Sequence, residues 1–213
     1  MSVPQRTEAR EALGGKAEAI LSAAERAFLA SGFGAVSMDA IAREAGVSKA
    51  TVYAYFANKE ELFGAVIAAV SERFGGFSAL ELDPRDIDRS LTTIAHRFLD
   101  LVLSPESIAV NRIIIGEVTR FPVLGSVFWE AGPARVRAQI ETFLQHAGEV
   151  GSLVISDARL TAEQFVSLVR GEIHLRRLLR LGAEGDAAGL KAAAESAVDT
   201  FLRAFRPAGP RPR

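Results

Sequence analysis

The residues of this sequence best suited to specific recognition lie between positions 46 and 59, where lysines and tyrosines occur without a carboxylate. Lys49 and Tyr53 are four residues apart, so they share one face of a helix. Ala50 and Ala54 accompany them, and such small side chains let a helix backbone approach another surface closely. A cation and a phenol on such a face favour hydrogen bonds to phosphates and base edges.

Two short predicted helices position these side chains. Residues 38–45 follow Ser37 and residues 49–56 follow Ser48, and serine is a preferred N-cap because its oxygen accepts from the free N–H groups of the first turn. Gly46 lies between them, where glycine adopts the left-handed conformation without strain. Two short helices joined by such a turn form a helix-turn-helix, whose second helix can enter the major groove. Hydrophobic periodicity alone also allows an ordinary packing of short amphipathic helices.

A further helix is predicted to begin at Lys59. Asn58 is its predicted N-cap, and Glu61, three residues after Asn58, completes a pattern like a capping box. A cation gains nothing from the dipole at a helix N-terminus. We therefore expect an external anion, such as a phosphate, as the partner of Lys59.

The chain as a whole is predicted to be all-α, with about nine helices, because apolar residues recur at three- and four-residue spacing. Predicted breaks include residues 75–86, the best candidate boundary, and residues 182–186. Pro133 is predicted to kink or restart a helix, and a later helix with a capping pattern at Thr161 is predicted to end at about Leu181. Its 213 residues are 49% hydrophobic and 24% charged, which is typical of a folded globular protein. The formal net charge of −1 argues against a protein that coats nucleic acid through bulk positive charge. Any binding of nucleic acid must then come from local placement of charge.

Several functional classes are disfavoured by what the sequence lacks. There is no cysteine, so thiolate metal sites and cysteine nucleophiles are excluded. The three histidines are far apart, and no H-E-x-x-H, G-x-S-x-G or P-loop pattern occurs, so we expect no enzyme, metal or cofactor. An architectural DNA binder would need a basic exterior, and a protein-binding adaptor has no need of the exposed lysines and tyrosines. No membrane span or signal peptide is apparent, so the expected location is cytoplasmic.

The segment over residues 17–67 resembles the DNA-binding domain of the TetR family of transcriptional regulators. The resemblance rests on the motifs I-A-x-x-A-G-V-S, T-V-Y-x-Y-F and N-K-E-E-L, preceded by A-x-x-x-F and a G-F turn. It implies a three-helix DNA-binding domain that contacts double-stranded DNA. The implied contacts with phosphates and bases are Ser37, Ser48, Lys49, Ala50, Thr51, Tyr53, Tyr55 and Lys59.

The resemblance also implies a domain organisation. We expect a flexible arm over residues 1–15, the DNA-binding domain over 16–62, a helical ligand-binding and dimerisation domain over 63–206, and a flexible tail over 207–213. The later part of the chain is similar to the AefR-like branch of the family, on the runs NRIIIGEVTRFP, FWEAGPARV and LVRGEIHLRRLL.

The resemblance implies an apolar effector pocket in the second domain, although each candidate can also be an ordinary core or structural residue. The candidate residues are His96, Phe98, Arg112, Glu117, Phe121, Phe128, Trp129, Phe143 and His174.

The last two predicted helices correspond to the family's dimer interface, with packing on their own subunit as the alternative. The candidate interface residues are Phe165, Leu168, Leu190, Ala194, Ala197, Val198, Phe201 and Phe205. These observations predict a homodimeric repressor that binds a palindromic operator and is released by a small-molecule effector. The alternatives are an activator of the same type and a regulator without an effector.

Overall fold

The structure is a computed structural model, and it describes residues 3–73, 81–181 and 187–207. These residues form helices and connecting turns, with no strand among them, as the hydrophobic spacing predicts. Much of the predicted boundary at residues 75–86, the predicted break at 182–186 and nearly all of the predicted tail lie outside the described residues. The chain divides into two compact units.

The first unit comprises residues 1–70 and 109–131. Its helices are α1 (Val3–Ala35), α2 (Met38–Glu44), α3 (Lys49–Tyr55), most of α4 (Lys59–Arg73), the later part of α6 (Pro105–Glu117) and α7 (Val123–Ala131). Their core centres on Phe28, Phe33 and Phe63, whose ring centroids lie 5.1–5.8 Å apart. The predicted division after residue 62 therefore differs from the structure, in which residues 109–131 pack with the N-terminal helices.

The second unit comprises residues 71–108 and 132–213. It contains α5 (Ile87–Val102), α8 (Pro133–Glu149), α9 (Ala158–Arg170), α10 (Ile173–Leu178) and α11 (Ala187–Phe205), and α6 begins here. Its core is formed by apolar residues that are no more than 2% exposed, among them Leu91, Ile94, Ile140, Phe165 and Phe201. Arg206, just after α11, pairs with Asp88 in the first turn of α5.

Two predicted helices are each divided in the structure. Pro133 occupies the first position of α8, as the sequence predicts, because proline there loses no helical hydrogen bond. The helix predicted over residues 161–181 ends instead at Gly171, whose φ of 49° interrupts it before α10. That helix begins earlier than predicted, since Asp157 rather than Thr161 is its N-cap and accepts from the Leu160 amide at 2.9 Å.

The arm predicted over residues 1–15 is helical from Val3 onward, where α1 begins. The residues that follow Pro4 are mostly alanine, glutamate and arginine, which are good helix formers. Proline is tolerated in the first turn of a helix, where its missing N–H has no helical partner. None of the helices in the described ranges combines the length and the apolar character that a membrane span requires.

Candidate nucleic-acid interface

The turn between α2 and α3, which we call the α2–α3 turn, is closed by its own residues. Gly46 has a φ of 68°, and the Val47 amide donates to the carbonyl of Ala42 at 3.0 Å. The Ser48 hydroxyl caps α3 by accepting from the Thr51 amide at 3.1 Å, and it lies 2.8 Å from the Thr51 hydroxyl. The predicted helix-turn-helix caps are therefore confirmed, including Ser37, which accepts from the Ala40 amide at the start of α2.

The side chains of α3 divide into a buried and an exposed set, as the spacing predicts. Val52 is fully buried against the first core and anchors the helix. Lys49, Ala50 and Ala54 are exposed, and Tyr53 is 46% exposed. Thr51 and Tyr55 are partly buried at the margins. The exposed set, with Lys49 and Tyr53 at its centre, forms what we call the reading face.

Lys49 has an acidic partner on α2 that sequence reasoning missed. Its ammonium lies 2.8 Å from an Asp39 carboxylate oxygen, and both side chains are more than half exposed. The hydrogen bond to Asp39, followed by its charge, raises the pKa of Lys49 above the ordinary value. A similar exposed pair joins Arg26 to Glu44 at 2.9 Å. Carboxylates on α2 therefore pair with one cation of the reading face and with one cation of α1.

Gly32 interrupts α1 near its end, with a φ of 78° and a ψ of 171°. We call residues 32–37, from this break to the start of α2, the α1–α2 turn, and distant charged side chains hold it. The Lys59 ammonium donates to the carbonyls of Phe33 at 2.9 Å and Val36 at 2.8 Å, and it lies 4.2 Å from the centroid of the Phe33 ring. Burial lowers the pKa of Lys59, although nearby Glu60 and Glu117 oppose the shift. The structure thus supplies internal partners that sequence reasoning missed.

Glu117, at the end of α6, binds the same turn from its N–H side. Its two carboxylate oxygens accept from the amides of Phe33 at 2.7 Å and Gly34 at 2.6 Å. The non-helical backbone at Gly32 frees these amides from the hydrogen-bonding pattern of α1. Glu117 is predicted from the sequence as an effector contact, but here both of its oxygens bind the main chain. No local signal reveals this pairing, because the partners are 83 and 84 residues apart.

The remaining effector candidates divide between the two units. Phe121 and Phe128 pack on the first core, Arg112 is half-buried, and Trp129 is 48% exposed.

In the second unit, Phe98 and Phe143 are buried core residues. The Nε2 of His96 is buried without a hydrogen-bond partner among the described residues. Burial, together with Arg170, lowers the pKa of His174.

The predicted dimer residues require a correction. Phe165, Ala194, Ala197, Val198 and Phe201 are at most 7% exposed within a single chain, so they form its own core and cannot form a surface for a partner. Phe205 is also packed on that core, and Leu190 is partly buried. The error arises because the alternating faces of a helix can each be apolar or small, and periodicity does not tell which face packs internally.

Other residues of the same helices do face outward. On α9, Leu160 and Leu168 are 50% and 40% exposed. On α11, Ala193, Ser196 and Thr200 are exposed at helical spacing. Of the eight predicted interface residues, Leu168 alone belongs to this outward set.

Family models match both parts of the chain. The model described as bacterial regulatory proteins, tetR family, matches residues 20–66, which include the helix-turn-helix. The model described as the C-terminal domain of an AefR-like transcriptional repressor matches residues 89–207. Together they cover most of the sequence and agree with both resemblances identified in it.

Individual relatives agree with the family models. The chain is 31% identical to the HTH-type transcriptional regulator SrpR of Pseudomonas putida over 160 residues, which is 73% of this chain and 72% of SrpR. The structure of the flavonoid-responsive regulator FrrA is similar with a TM-score of 0.75 and 36% identity, covering 92% of this chain and all of FrrA. A TetR-family regulator from Mesorhizobium loti MAFF303099 has a TM-score of 0.78 at 27% identity, covering 92% of this chain and 98% of its own.

Proposed function

The chain belongs to the TetR family of bacterial transcriptional regulators, and we propose that it is a repressor that binds a palindromic operator as a homodimer and is released by a small-molecule effector. The family consists of transcriptional regulators and not of enzymes. Repression is favoured over activation by the AefR-like repressor model that matches residues 89–207. The proposed location is the cytoplasm, where such a regulator meets the chromosome.

The observation that carries DNA binding is the reading face of α3. Lys49 and Tyr53 point away from the core on a helix whose Ala50 and Ala54 allow close approach to bases. Thr51 and Tyr55 lie at the margins of that face, where contacts with the adjoining backbone are expected. Because so few side chains reach outward, specificity would come from a small number of contacts, repeated by the symmetry of a dimer.

Phosphate contacts are proposed for the groups that cap the helices around the reading face. Ser37 and Ser48 each accept a main-chain hydrogen bond, which leaves the hydroxyl proton able to donate. The Lys59 ammonium has three donors and uses two of them on carbonyls of the α1–α2 turn. Its third donor can reach a phosphate while the other two hold the ammonium in place.

Selection from a random pool of DNA duplexes tests this function. The purified protein should enrich a palindromic site, and its affinity should fall steeply as salt rises, because each phosphate contact releases a counterion. Lys49→Ala should reduce that salt slope by about one unit. Lys191→Ala is the matched control, since Lys191 is equally exposed on α11 and also has a carboxylate partner. Failure to enrich any duplex would overturn the proposal.

Dimerisation is proposed through the outward faces of α9 and α11. Two such helices from each subunit can form a four-helix bundle, in which Leu160 and Leu168 supply apolar area and Ala193 and Ser196 allow close approach. Leu168→Glu should produce monomers in sedimentation experiments without loss of helicity. A similarly exposed leucine outside this face, Leu181→Glu, is the control. A dimer that survives Leu168→Glu would contradict this interface.

An effector site is proposed in the helical second unit. A buried ring nitrogen without a partner, as on His96, suits a ligand hydroxyl. FrrA is named as flavonoid-responsive, and hydroxylated aromatic compounds of that class are therefore the first probes to test. They should release the wild-type protein from the selected duplex and release His96→Leu less readily. Release of both proteins at equal concentrations would contradict the role of His96.

Transcription in vitro separates repression from activation. A promoter that carries the selected site should give less transcript as the protein is added. More transcript would favour an activator, which is the principal alternative.

A further inference from the structure

The α1–α2 turn contains a main-chain anion site that Glu117 fills. Successive amides of Phe33 and Gly34 converge on its two carboxylate oxygens at 2.7 and 2.6 Å, in a half-buried position. Such converging N–H groups form a nest that favours a negative charge. A Cβ on Gly32 would lie 2.5 Å from one carboxylate oxygen, and a Cβ on Gly34 would lie 2.8 Å from the other. Both glycines are therefore needed for the carboxylate to approach this closely.

The same turn is bound by a cation on its carbonyl side. Lys59 donates to the carbonyls of Phe33 and Val36, so both polar groups of Phe33 are bonded to charged side chains. Phe121, four residues beyond Glu117, adds a ring contact with Phe33 at 5.4 Å. The turn thus has little freedom to move while Glu117 and Lys59 remain in place.

Lys59 belongs to α4 and Glu117 to α6, and each of these two helices contains a boundary between the two units. Residues 70 and 71 of α4 belong to different units, as do residues 108 and 109 of α6. Lys59 begins α4 and Glu117 ends α6. The turn is consequently bound by the ends of two helices that continue into the second unit.

We propose that Glu117 is a positioning residue for DNA binding, whose carboxylate holds the α1–α2 turn, and with it Ser37 and the start of α2, in the conformation that binds the operator. This inference rests on the proposed function. Ser37 follows Gly34 by three residues and begins the helix that carries Asp39, the partner of Lys49. Withdrawing the carboxylate leaves two amides without their partner and frees the turn.

Amide hydrogen exchange tests the structural half of this proposal. Glu117→Gln preserves the size of the side chain, but its NH₂ group cannot accept from an amide, so at least one hydrogen bond is lost. The amide that loses its acceptor, that of Phe33 or of Gly34, should exchange at least about tenfold faster in this variant. Glu130→Gln is the matched control, because it removes the same charge from an exposed position of the same unit. Unchanged exchange at both amides would overturn the proposal.

Affinity for the selected duplex tests the functional half. We expect Glu117→Gln to bind about tenfold more weakly than wild type, and Glu130→Gln to bind with unchanged affinity. In Glu117→Ala, sodium formate should restore part of the lost affinity relative to sodium chloride at the same ionic strength, because formate can occupy the vacated nest. A protein that is merely less stable would not respond to formate in this way.

The outcomes separate this inference from the proposed function. Faster amide exchange with unchanged affinity would show that Glu117 holds the turn but does not position it for DNA, which overturns the proposal. A wild-type protein that enriches no duplex would overturn the proposed function and the positioning role together. The exchange experiment would still decide whether the carboxylate holds the turn, because it does not involve DNA.

Discussion

The α1–α2 turn and the α2–α3 turn lie at opposite ends of α2, and they are held by different kinds of interaction. The α2–α3 turn closes on its neighbours, through the Val47 amide and the Ser48 cap. The α1–α2 turn depends on Lys59 and Glu117, which lie 26 and 84 residues from Phe33. Local interactions thus suffice to hold the turn that leads into α3, which carries the reading face. The turn that leads into α2 depends instead on distant parts of the chain.

Alanine substitutions at one glycine in each turn provide the strongest test of this difference. Both Gly32 and Gly46 have positive φ, but a Cβ at Gly46 meets open space and one at Gly32 meets the Glu117 carboxylate. We expect Gly46→Ala to cost about 1 kcal/mol of unfolding free energy from backbone strain alone. Gly32→Ala should cost about 3 kcal/mol, because the strain is larger and the carboxylate is displaced. Urea denaturation measures the unfolding free energy of both variants. Equal losses would show that the two turns are not held by different kinds of interaction.

The contribution of the distant cation is tested by Lys59→Met. Methionine preserves much of the apolar contact with the Phe33 ring but removes both hydrogen bonds to the turn carbonyls. Bonds to charged groups each contribute about 1.5–3 kcal/mol, so the variant should lose about 2 kcal/mol of stability after partial solvation of the carbonyls. Lys191→Met, at an exposed site on α11, should change stability by less than about 0.5 kcal/mol. Similar losses in the two variants would contradict a special role for Lys59.

The local turn is tested by Ser48→Ala, alone and combined with Glu117→Gln. Loss of a serine N-cap costs about 1 kcal/mol. Since the α2–α3 turn closes on its own residues, the two losses should add within about 0.5 kcal/mol in a double-mutant cycle. A larger coupling would show that the two turns are not independently held.

The smallest effect on stability is expected from Asp39→Asn, because water screens the exposed pair that Asp39 forms with Lys49. Removing the Asp39 charge frees the Lys49 cation of the reading face, so affinity for a scrambled duplex should rise about threefold and the salt slope should steepen. The pKa of Lys49 should also move down, towards its ordinary value, because Asp39 is what raises it. Unchanged affinity for scrambled DNA would show that the Asp39 carboxylate does not weaken non-specific binding.

Sequence reasoning succeeded where structure is determined by neighbouring residues. The caps at Ser37 and Ser48, the glycine at Gly46 and the restart at Pro133 each depend on a few adjacent positions, and all are confirmed. It also separated the buried Val52 from the exposed Lys49 and Tyr53, because a seven-residue helix has one buried face.

It failed where the deciding partner is distant in the chain. Glu117 looks like any carboxylate near the end of a helix until the Phe33 and Gly34 amides are seen beside it. Similarly, the small and apolar residues of α11 could face a partner or their own core, and tertiary packing decides in favour of the core for Val198 and Phe201. No pattern within one helix contains that information.

The most direct test of the account is the affinity of Tyr53→Ala for the selected duplex and for a scrambled one of the same length. Tyr53 is exposed at the centre of the reading face and contributes little to the core, so the variant should fold normally. We predict a loss of about 1–3 kcal/mol in binding the selected duplex, with no change for the scrambled duplex. Unchanged affinity for the selected duplex, or an equal loss on both, would contradict α3 as the element that reads the operator.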